Sequence, residues 1–352
     1  MSVELITILL FGGLLFFLMM GVPIFIAMGG TAVIFTLFFK GPNGLYTLAT
    51  STLSQGTSVT LMTIPMFLLM GNFLVHSGIS DRMFKALSYW LSGVRGGLAL
   101  VSIIVCVALA MCGGFGPGIM TMGMIAVPAM LKHRYSKTIA VGSVMAGGVL
   151  GEIIPPAIIM IIFSFVGRLS IGRIFAGGVI PGFILASLYL LYVIALGFFR
   201  PHLMPSLSEK VSWKMRWIAL KDLILPAALV VLVLGSIFMG VATPTEASGV
   251  GALGSLIVCL VYGRLNKKVI VKTCLATMNI VGMVMWIVIP AALFAVFYTS
   301  IGAQDMIRGF VEGLEINRWF IIIAMQVITL ICGMFLDDAA IVILCAPFSC
   351  RL

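Results

Sequence analysis

Glycines, prolines and carboxylates interrupt the most apolar parts of this chain of 352 residues. Residues 112–118 read Cys-Gly-Gly-Phe-Gly-Pro-Gly, and residues 147–157 carry Glu152 just before Pro155 and Pro156. Proline has no amide hydrogen and glycine has no side chain, so both stretches predict breaks in otherwise helical segments. A broken helix frees carbonyl oxygens for a cation and a positive amino end for an anion. These residues therefore predict a site for Na⁺ and a carboxylate together.

Three carboxylates lie in or beside such breaks. Glu152 belongs to the first, and Asp337 with Asp338 closes the phrase Cys-Gly-Met-Phe-Leu-Asp-Asp at residues 332–338. Burial of a carboxylate inside a membrane costs free energy, so a carboxylate found there is first considered as a functional residue. Cation ligation, a proton step and pairing with a positive substrate group are three open roles. The alternative for the aspartate pair is a tip exposed to water.

The composition predicts an all-α polytopic membrane protein. Hydrophobic residues make up 62% of the chain, charged residues 9%, and the mean hydropathy is +1.24. About 20 apolar residues span a bilayer as a helix. The first apolar run lacks the basic start and the cleavage site of a signal peptide, so we expect it to stay in the protein as a helix. About ten apolar elements follow: Val3–Met20, Val22–Phe39, Val59–Val75, Leu98–Met130, Thr138–Val166, Ile174–Phe199, Leu223–Val241, Ala247–Tyr262, Cys274–Ile301 and Trp319–Leu336.

The sequence lacks the residues that several other classes of function require. The seven cysteines show no metal-ligand spacing and the three histidines are scattered, so the chain offers neither a metal cluster nor a nucleophile with its base. It has no phosphate-binding loop of the ATPase type. The net charge is +10, and the basic residues lie in short loops between apolar runs. Membrane topology explains this placement better than binding of nucleic acid does. We therefore expect no enzyme, no organic cofactor and no nucleic acid partner.

The glycine-broken phrase occurs twice, and other landmarks repeat with it. Cys112 and Cys332 are 220 residues apart, and Pro65 and Pro290 are 225 apart. Gly21–Gly30 resembles Gly240–Gly249 at an offset of 219. Similar offsets in the same order predict two homologous halves, as in many secondary transporters.

Loop charge predicts that the halves are inverted. Short cytoplasmic loops accumulate Lys and Arg, which places residues 132–137, 200–221 and 264–272 inside. Asp81–Arg95, with a net charge of +2, then lies inside, whereas its counterpart Asp305–Arg318, with a net charge of −1, lies outside. Both segments predict amphipathic helices in the interface, and ordinary hydrophilic loops are the alternative.

The repeat gives the expected organisation of the chain. The first half, residues 1–200, holds scaffold helices, an amphipathic arm at 81–95, a re-entrant hairpin at 98–130 and a broken helix at 138–166. Residues 201–222 form a cytoplasmic connector. The second half is 223–352. At the same offset of about 220, its own broken helix would fall near 371–376, which is past residue 352, so this half ends after its hairpin. We therefore expect a C-terminally incomplete second repeat.

Several motifs together resemble the large membrane (permease) subunit of the tripartite ATP-independent periplasmic (TRAP) transporters. They are Gly-Val-Ala-Thr-Pro-Thr-Glu-Ala at 240–247, the hairpin at 112–128, Gly-Glu-Ile-Ile-Pro-Pro at 151–156 and the phrase at 333–347. The resemblance implies an elevator-type transporter of the bacterial inner membrane. Its partners would be a small four-helix membrane subunit and a periplasmic solute-binding protein. Na⁺ would drive uptake of organic acids such as C4-dicarboxylates or sialic acid.

The resemblance also implies the site residues. Na⁺ would bind through Cys112, Gly114, Gly151, Ile154 and Pro156. The same resemblance would add Phe115, Gly333, Leu336 and Asp337 to the wider site for ion and substrate. Four further residues are candidates because they lie in or beside the breaks: Gly148, Glu152, Pro155 and Asp338. The family more often has an uncharged residue where this chain has Glu152. The family commonly has Ser-Gly-Ser-Ser where this chain has Cys112 to Phe115, so hydroxyl ligands are missing here. A stand-alone carboxylate symporter coupled to Na⁺ or H⁺ is the alternative function.

Thr243 and Glu246 flank Pro244 at the predicted start of a helix. A threonine at the N-cap accepts a backbone hydrogen bond, and a glutamate in the first turn favours the positive helix end. These two residues therefore predict a helix cap rather than a binding site.

Overall fold

The computed structural model describes residues 2–113, 115–206, 211–303, 306, 309, 318–334, 336 and 338–342. Its regular structure is helical, which confirms the all-α prediction. The helices are α1 Val3–Met19, α2 Ile24–Gly56, α3 Thr63–His76, α4 Ile79–Trp90, α5 Gly97–Ala110, α6 Phe115–Lys132, α7 Lys137–Ile153, α8 Ile158–Gly167, α9 Ile171–Phe199, α10 Trp213–Phe238, α11 Pro244–Val261, α12 Lys267–Ser300 and α13 Arg318–Gly333, with a short 3₁₀ turn at Pro201–Leu203.

Six segments of the described chain are long and apolar enough to cross a membrane. They are Ile24–Gly56, Lys137–Gly167, Ile171–Phe199, Trp213–Phe238, Pro244–Val261 and Lys267–Ser300. The pair α3 and α4, bent by 64°, makes a seventh if it is counted as one span. Shorter apolar helices include α1 and α5. The lengths confirm a multi-pass membrane protein.

Three helix boundaries differ from the sequence prediction. α2 continues to Gly56, but Gly41 has φ 64° and Pro42 follows it, so two helical pieces meet at a kink. α10 begins at Trp213, ten residues before the predicted span, because the connector is itself helical there. α12 begins at Lys267, seven residues before the predicted run Cys274–Ile301.

α4 is the amphipathic arm predicted from Asp81–Arg95. Met83, Phe84 and Ala86 are buried, whereas Asp81 and Lys85 are exposed. The helix ends at Trp90, so it covers most of the predicted segment but not residues 91–95; its place in the membrane interface stays a prediction. The counterpart Asp305–Arg318 lies almost entirely outside the described residues.

Contacts divide the chain into two compact units, each drawn from both halves of the sequence. Unit 1 comprises Met1–Leu61, Ile162–Leu169 and Ile280–Leu352; unit 2 comprises Met62–Ile161 and Ser170–Asn279. In unit 1, the Phe11 ring meets Phe294 edge-on at 5.6 Å and Tyr298 at 5.8 Å. Unit 2 contains α3 to α7 and α9 to α11, and with them the first hairpin and the prolines of the first break.

Backbone conformation repeats along the chain at the offsets seen in the sequence. Glycines with positive φ occur in three pairs, separated by 219, 222 and 224 residues: Gly21 and Gly240 (78° and 71°), Gly41 and Gly263 (64° and 63°), and Gly78 and Gly302 (75° and 76°). Such φ values favour glycine. The two halves therefore share turns as well as sequence.

Candidate cation and substrate site

The first hairpin has a short tip between α5 and α6. After Ala110 the chain makes a tight turn, in which the Cys112 amide donates to the Leu109 carbonyl (3.0 Å) and the Gly113 amide to the Ala110 carbonyl (2.8 Å). Cys112 is 1% exposed. α5 and α6 pack against each other on either side of this turn, as expected for a hairpin.

The helix resumes earlier than the sequence predicted. The expectation of a non-helical tip as far as Gly118 is wrong, because α6 begins at Phe115. Pro117 therefore lies in the first turn of α6, where the missing amide hydrogen of proline has no intrahelical partner to lose. Gly114 lies outside the described residues.

Gly113 fixes the tip against α3. Its φ is +73°, and a methyl carbon built on it would overlap the Phe67 carbonyl oxygen. An alanine would be strained by both the backbone angle and the contact. The approach of tip and α3 therefore depends on the absence of a side chain.

α7 lies against both helices of the hairpin. A methyl carbon on Gly147 would come within 2.8 Å of Cys106 Cβ and 3.0 Å of Ile103 Cα on α5, and one on Gly148 would overlap Ile119 on α6. Small residues allow helices to approach closely inside a membrane. The structure thus gives Gly148 a packing contact; its place among the ligands stays a prediction.

The break after α7 follows from its two prolines. The Ile154 amide still donates to the Leu150 carbonyl at 2.8 Å. Pro155 and Pro156, joined by a cis peptide bond, have no amide hydrogen, so the carbonyls of Gly151 and Glu152 lose the donors that a continuous helix would supply.

Glu152 lies in the last turn of α7, which ends at Ile153. The sequence placed Glu152 inside the break; the structure keeps it helical, although its carbonyl has lost the amide donor that residue 156 would supply in a continuous helix. Its side chain is half-buried, whereas Gly151 and Ile154 are buried. The backbone of the break, more than this carboxylate, is thus enclosed by the protein.

α9 packs directly on the break through Gly178 and Gly182. A methyl carbon on Gly178 would lie 2.7 Å from the Ile153 carbonyl oxygen, and one on Gly182 would lie 2.6 Å from Ile154 Cγ1. The sequence reasoning missed these two residues. Their signal was available, because a pair of glycines four residues apart in an apolar helix is typical of close helix packing.

The tip and the break lie at the same end of α6 and α7. Ile119 of α6 touches Gly148 of α7. Phe115, where α6 begins, is about 6 Å along the axis from Ile119, and Gly151 is about 4.5 Å from Gly148, at 1.5 Å per residue. Because the short connection 133–136 makes the helices antiparallel, the positive start of α6 lies at the same end of the pair as the interrupted end of α7.

The second group of predicted residues belongs to unit 1. Gly333 ends α13, Leu336 is half-buried and Asp338 is exposed. The Leu336 amide donates to the Cys332 carbonyl at 2.8 Å. Asp337 lies outside the described residues.

The described residues contain no group of three His, Cys, Asp or Glu side chains that could hold a metal ion. The break after α7 offers backbone carbonyl oxygens, the groups through which broken helices of transporters bind Na⁺. That this break binds Na⁺ stays a prediction.

The cap predicted at α11 is present. The Glu246 amide donates to Thr243 Oγ1 at 3.3 Å, and the Thr243 amide donates to Glu246 Oε2 at 2.8 Å, which forms a capping box. The hydroxyl oxygens of Thr245 and Thr63, on α11 and α3, are 2.9 Å apart. This motif therefore orders helix starts, as predicted.

Comparison with known proteins assigns these features to a family. Residues 11–350 match the family model described as "Tripartite ATP-independent periplasmic transporter, DctM component". A C4-dicarboxylate TRAP transporter large permease protein of Pseudomonas aeruginosa is 31% identical over 89% of this chain and 73% of its own length. The corresponding protein of Rhodobacter capsulatus is 28% identical over 97% of this chain and 80% of its own.

One solved structure is similar in fold. The YdaH transporter of Alcanivorax borkumensis, described as having an unusual topology, gives a TM-score of 0.59 at 15% identity. The match covers 88% of this chain and 73% of that one. At this identity the likeness shows a shared fold.

Proposed function

Because this chain belongs to the DctM component family of tripartite ATP-independent periplasmic transporters, we propose that it imports a small organic acid driven by a Na⁺ gradient. The chain is a large permease subunit, a multi-pass protein of the bacterial inner membrane and not an enzyme. Na⁺ and the acid are its cargo. The observation that carries the proposal is that the hairpin tip and the broken end of α7 lie at the same end of two packed antiparallel helices.

The cation half of the site would consist of carbonyl oxygens. Gly151, Ile154 and Pro156 would supply them from the break, and Cys112 and Gly114 from the tip. Cys112, Gly151 and Ile154 are buried, so a bound ion would be shielded from water. Since carbonyl groups do not titrate, such a site binds Na⁺ over a wide pH range.

The acid half of the site would use the start of α6. A helix amino terminus carries roughly half a positive charge and free amides, which attract a carboxylate. Phe115 and Gly116 open this helix. A Na⁺ ion bound at the adjacent break would add positive charge beside the acid. Binding of ion and acid would thereby become coupled, because each lowers the cost of bringing the other into the membrane.

The transporter would work with two partner proteins. We place a small four-helix membrane subunit beside this chain and a periplasmic solute-binding protein on its outer face, as the resemblance to the family implies. Similarity to C4-dicarboxylate permeases makes a C4-dicarboxylate the first substrate to test, with sialic acid as the second.

Uptake into proteoliposomes tests the proposal. The full-length permease is reconstituted with its small subunit, and the binding protein is added outside with radiolabelled C4-dicarboxylate or sialic acid. Accumulation should require an inward Na⁺ gradient, and it should stop when the binding protein is left out. Accumulation driven by a proton gradient alone would contradict Na⁺ coupling. Accumulation without the binding protein would instead favour a stand-alone symporter.

A further inference from the structure

The amphipathic helix α4 and the start of α10 form one surface with excess positive charge. We define the α4–α10 surface as residues 81–92 and 213–222, which contain five basic residues and two acidic ones. The two helices pack against each other within unit 2. α10 continues from this surface directly into an apolar span, so the surface begins within about 15 Å of the membrane core.

Tryptophans hold this surface together and project from it. Trp90 Nε1 donates to the Arg216 carbonyl at 3.0 Å, and the rings of Trp90 and Trp217 meet edge-on at 5.7 Å. The Arg216 guanidinium lies 4.9 Å above the Trp213 ring. Trp213 and Trp217 are nevertheless 66% and 61% exposed. Exposed indoles beside basic residues are typical of the boundary between membrane and water.

Most of the positive charge on the surface has no acidic partner. Among the described residues, Arg82 and Asp222 form the single salt bridge, at 3.5 Å. Arg216 Nη2 donates to the hydroxyl of Ser92 at 3.3 Å, and its Nε atom is buried without a partner. No carboxylate in the described part of the chain lies within salt-bridge distance of Lys85, Lys214 or Lys221. Such a surface is incomplete without an anion.

The loop between α11 and α12 extends the positive surface. The Tyr262 hydroxyl donates to the Lys221 carbonyl at 3.0 Å, and the Arg82 guanidinium lies 5.5 Å from the Tyr262 ring centre. Burial raises the pKa of this phenol, Asp222 raises it further and Arg82 opposes the rise, so the hydroxyl stays protonated and donating. Arg264 and Lys267 follow in the same loop and at the start of α12.

We propose that the α4–α10 surface binds the phosphodiester headgroups of anionic phospholipids in the cytoplasmic leaflet. Phosphate oxygens would accept hydrogen bonds from Arg216 and Lys214, while Trp213 and Trp217 lie at headgroup level. A soluble acidic protein would satisfy the charges but would not require two exposed indoles at the edge of the apolar span. The lipid would thereby anchor the arm that leads into the hairpin.

Tryptophan quenching by brominated lipids tests this proposal without any transport measurement. The full-length permease carries Trp286→Phe and Trp319→Phe, so that Trp90, Trp213 and Trp217 report. It is reconstituted in bilayers containing either dibrominated phosphatidylglycerol or dibrominated phosphatidylcholine at equal mole fraction. Phosphatidylglycerol should quench more strongly, and about 1 M salt should weaken the preference, because the Debye length falls to about 3 Å.

Two charge variants decide whether the surface itself is responsible. Lys214→Gln with Arg216→Gln should reduce the relative binding constant for phosphatidylglycerol by about fivefold for each charge removed. Lys132→Gln with Lys137→Gln, in another loop predicted to be cytoplasmic, is the matched control and should leave the constant unchanged. Unaltered quenching by phosphatidylcholine shows that each variant is inserted normally.

Three results would overturn the proposal. Equal quenching by the two lipids in the reporter protein would show no preference for an anionic headgroup. Full preference in the Lys214 and Arg216 variant would place the lipid elsewhere. An equal loss in the control variant would assign the effect to overall loop charge.

Discussion

Replacement of Gly113 by alanine should damage the hairpin tip more than the same change at Gly116 or Gly118. The residue has φ +73°, a left-handed conformation that costs an alanine about 1–2 kcal/mol. The added methyl carbon would also overlap the Phe67 carbonyl, a backbone atom that cannot rotate away. Overpacking of this kind costs about 1–3 kcal/mol. The two effects together predict a loss of about 2–5 kcal/mol from the state in which tip and α3 are in contact.

Gly116→Ala is the matched control, three residues away in the same motif. Nothing lies within 4 Å of a methyl carbon at Gly116, and the residue is helical, where alanine is favoured over glycine by about 1 kcal/mol. Thermal unfolding is followed with and without Na⁺ for both variants. Gly113→Ala should lower the midpoint and weaken Na⁺ stabilisation at least tenfold in apparent affinity, whereas Gly116→Ala should keep both. Identical behaviour of the two would refute the contact between tip and α3.

Three further changes address the break and the cap. Gly178→Ala should destabilise the protein by about 1–3 kcal/mol, because the added methyl group displaces the Ile153 carbonyl. Gly177→Ala is the control, since nothing lies within 4 Å of a methyl carbon there. Equal unfolding midpoints of the two variants would contradict the packing of α9 on the break. Glu152→Gln should leave the Na⁺ dependence of uptake unchanged if carbonyls bind the ion; uptake that becomes independent of Na⁺ would assign the ion to the carboxylate. Thr243→Val should cost about 1 kcal/mol of stability while Na⁺-driven uptake persists; lost uptake at full stability would contradict a capping role.

The helix breaks could be predicted because single residues cause them. Pro155 and Pro156 remove two backbone donors wherever they occur in a helix, and a run of glycines beside Cys112 weakens any helix through it. The repeat was equally visible, because its landmarks are conformational: Gly21 and Gly240 need the same positive φ in each half. Local rules were therefore sufficient for the existence of the breaks and of the repeat, but not for the length of the tip.

The enclosure of the site could not be predicted from local rules. The start of α6 at Phe115 depends on how readily a proline fits a first turn, and the approach of Phe67 to Gly113 joins residues far apart in sequence. Gly178 and Gly182 did carry a packing signal, but only the structure shows that they face the break. Long-range packing thus decides which of the many glycines serve the site.

Hydrogen exchange in the presence and absence of Na⁺ tests the central claim most directly. Mass spectrometry follows peptides that cover residues 111–119 and 148–157 of the full-length permease, in Na⁺ and in an equal concentration of choline. A shared site predicts that Na⁺ slows amide exchange in both peptides together, at one common midpoint concentration. Unchanged exchange in both peptides, or protection of one without the other, would contradict a cation site built from the tip and the break.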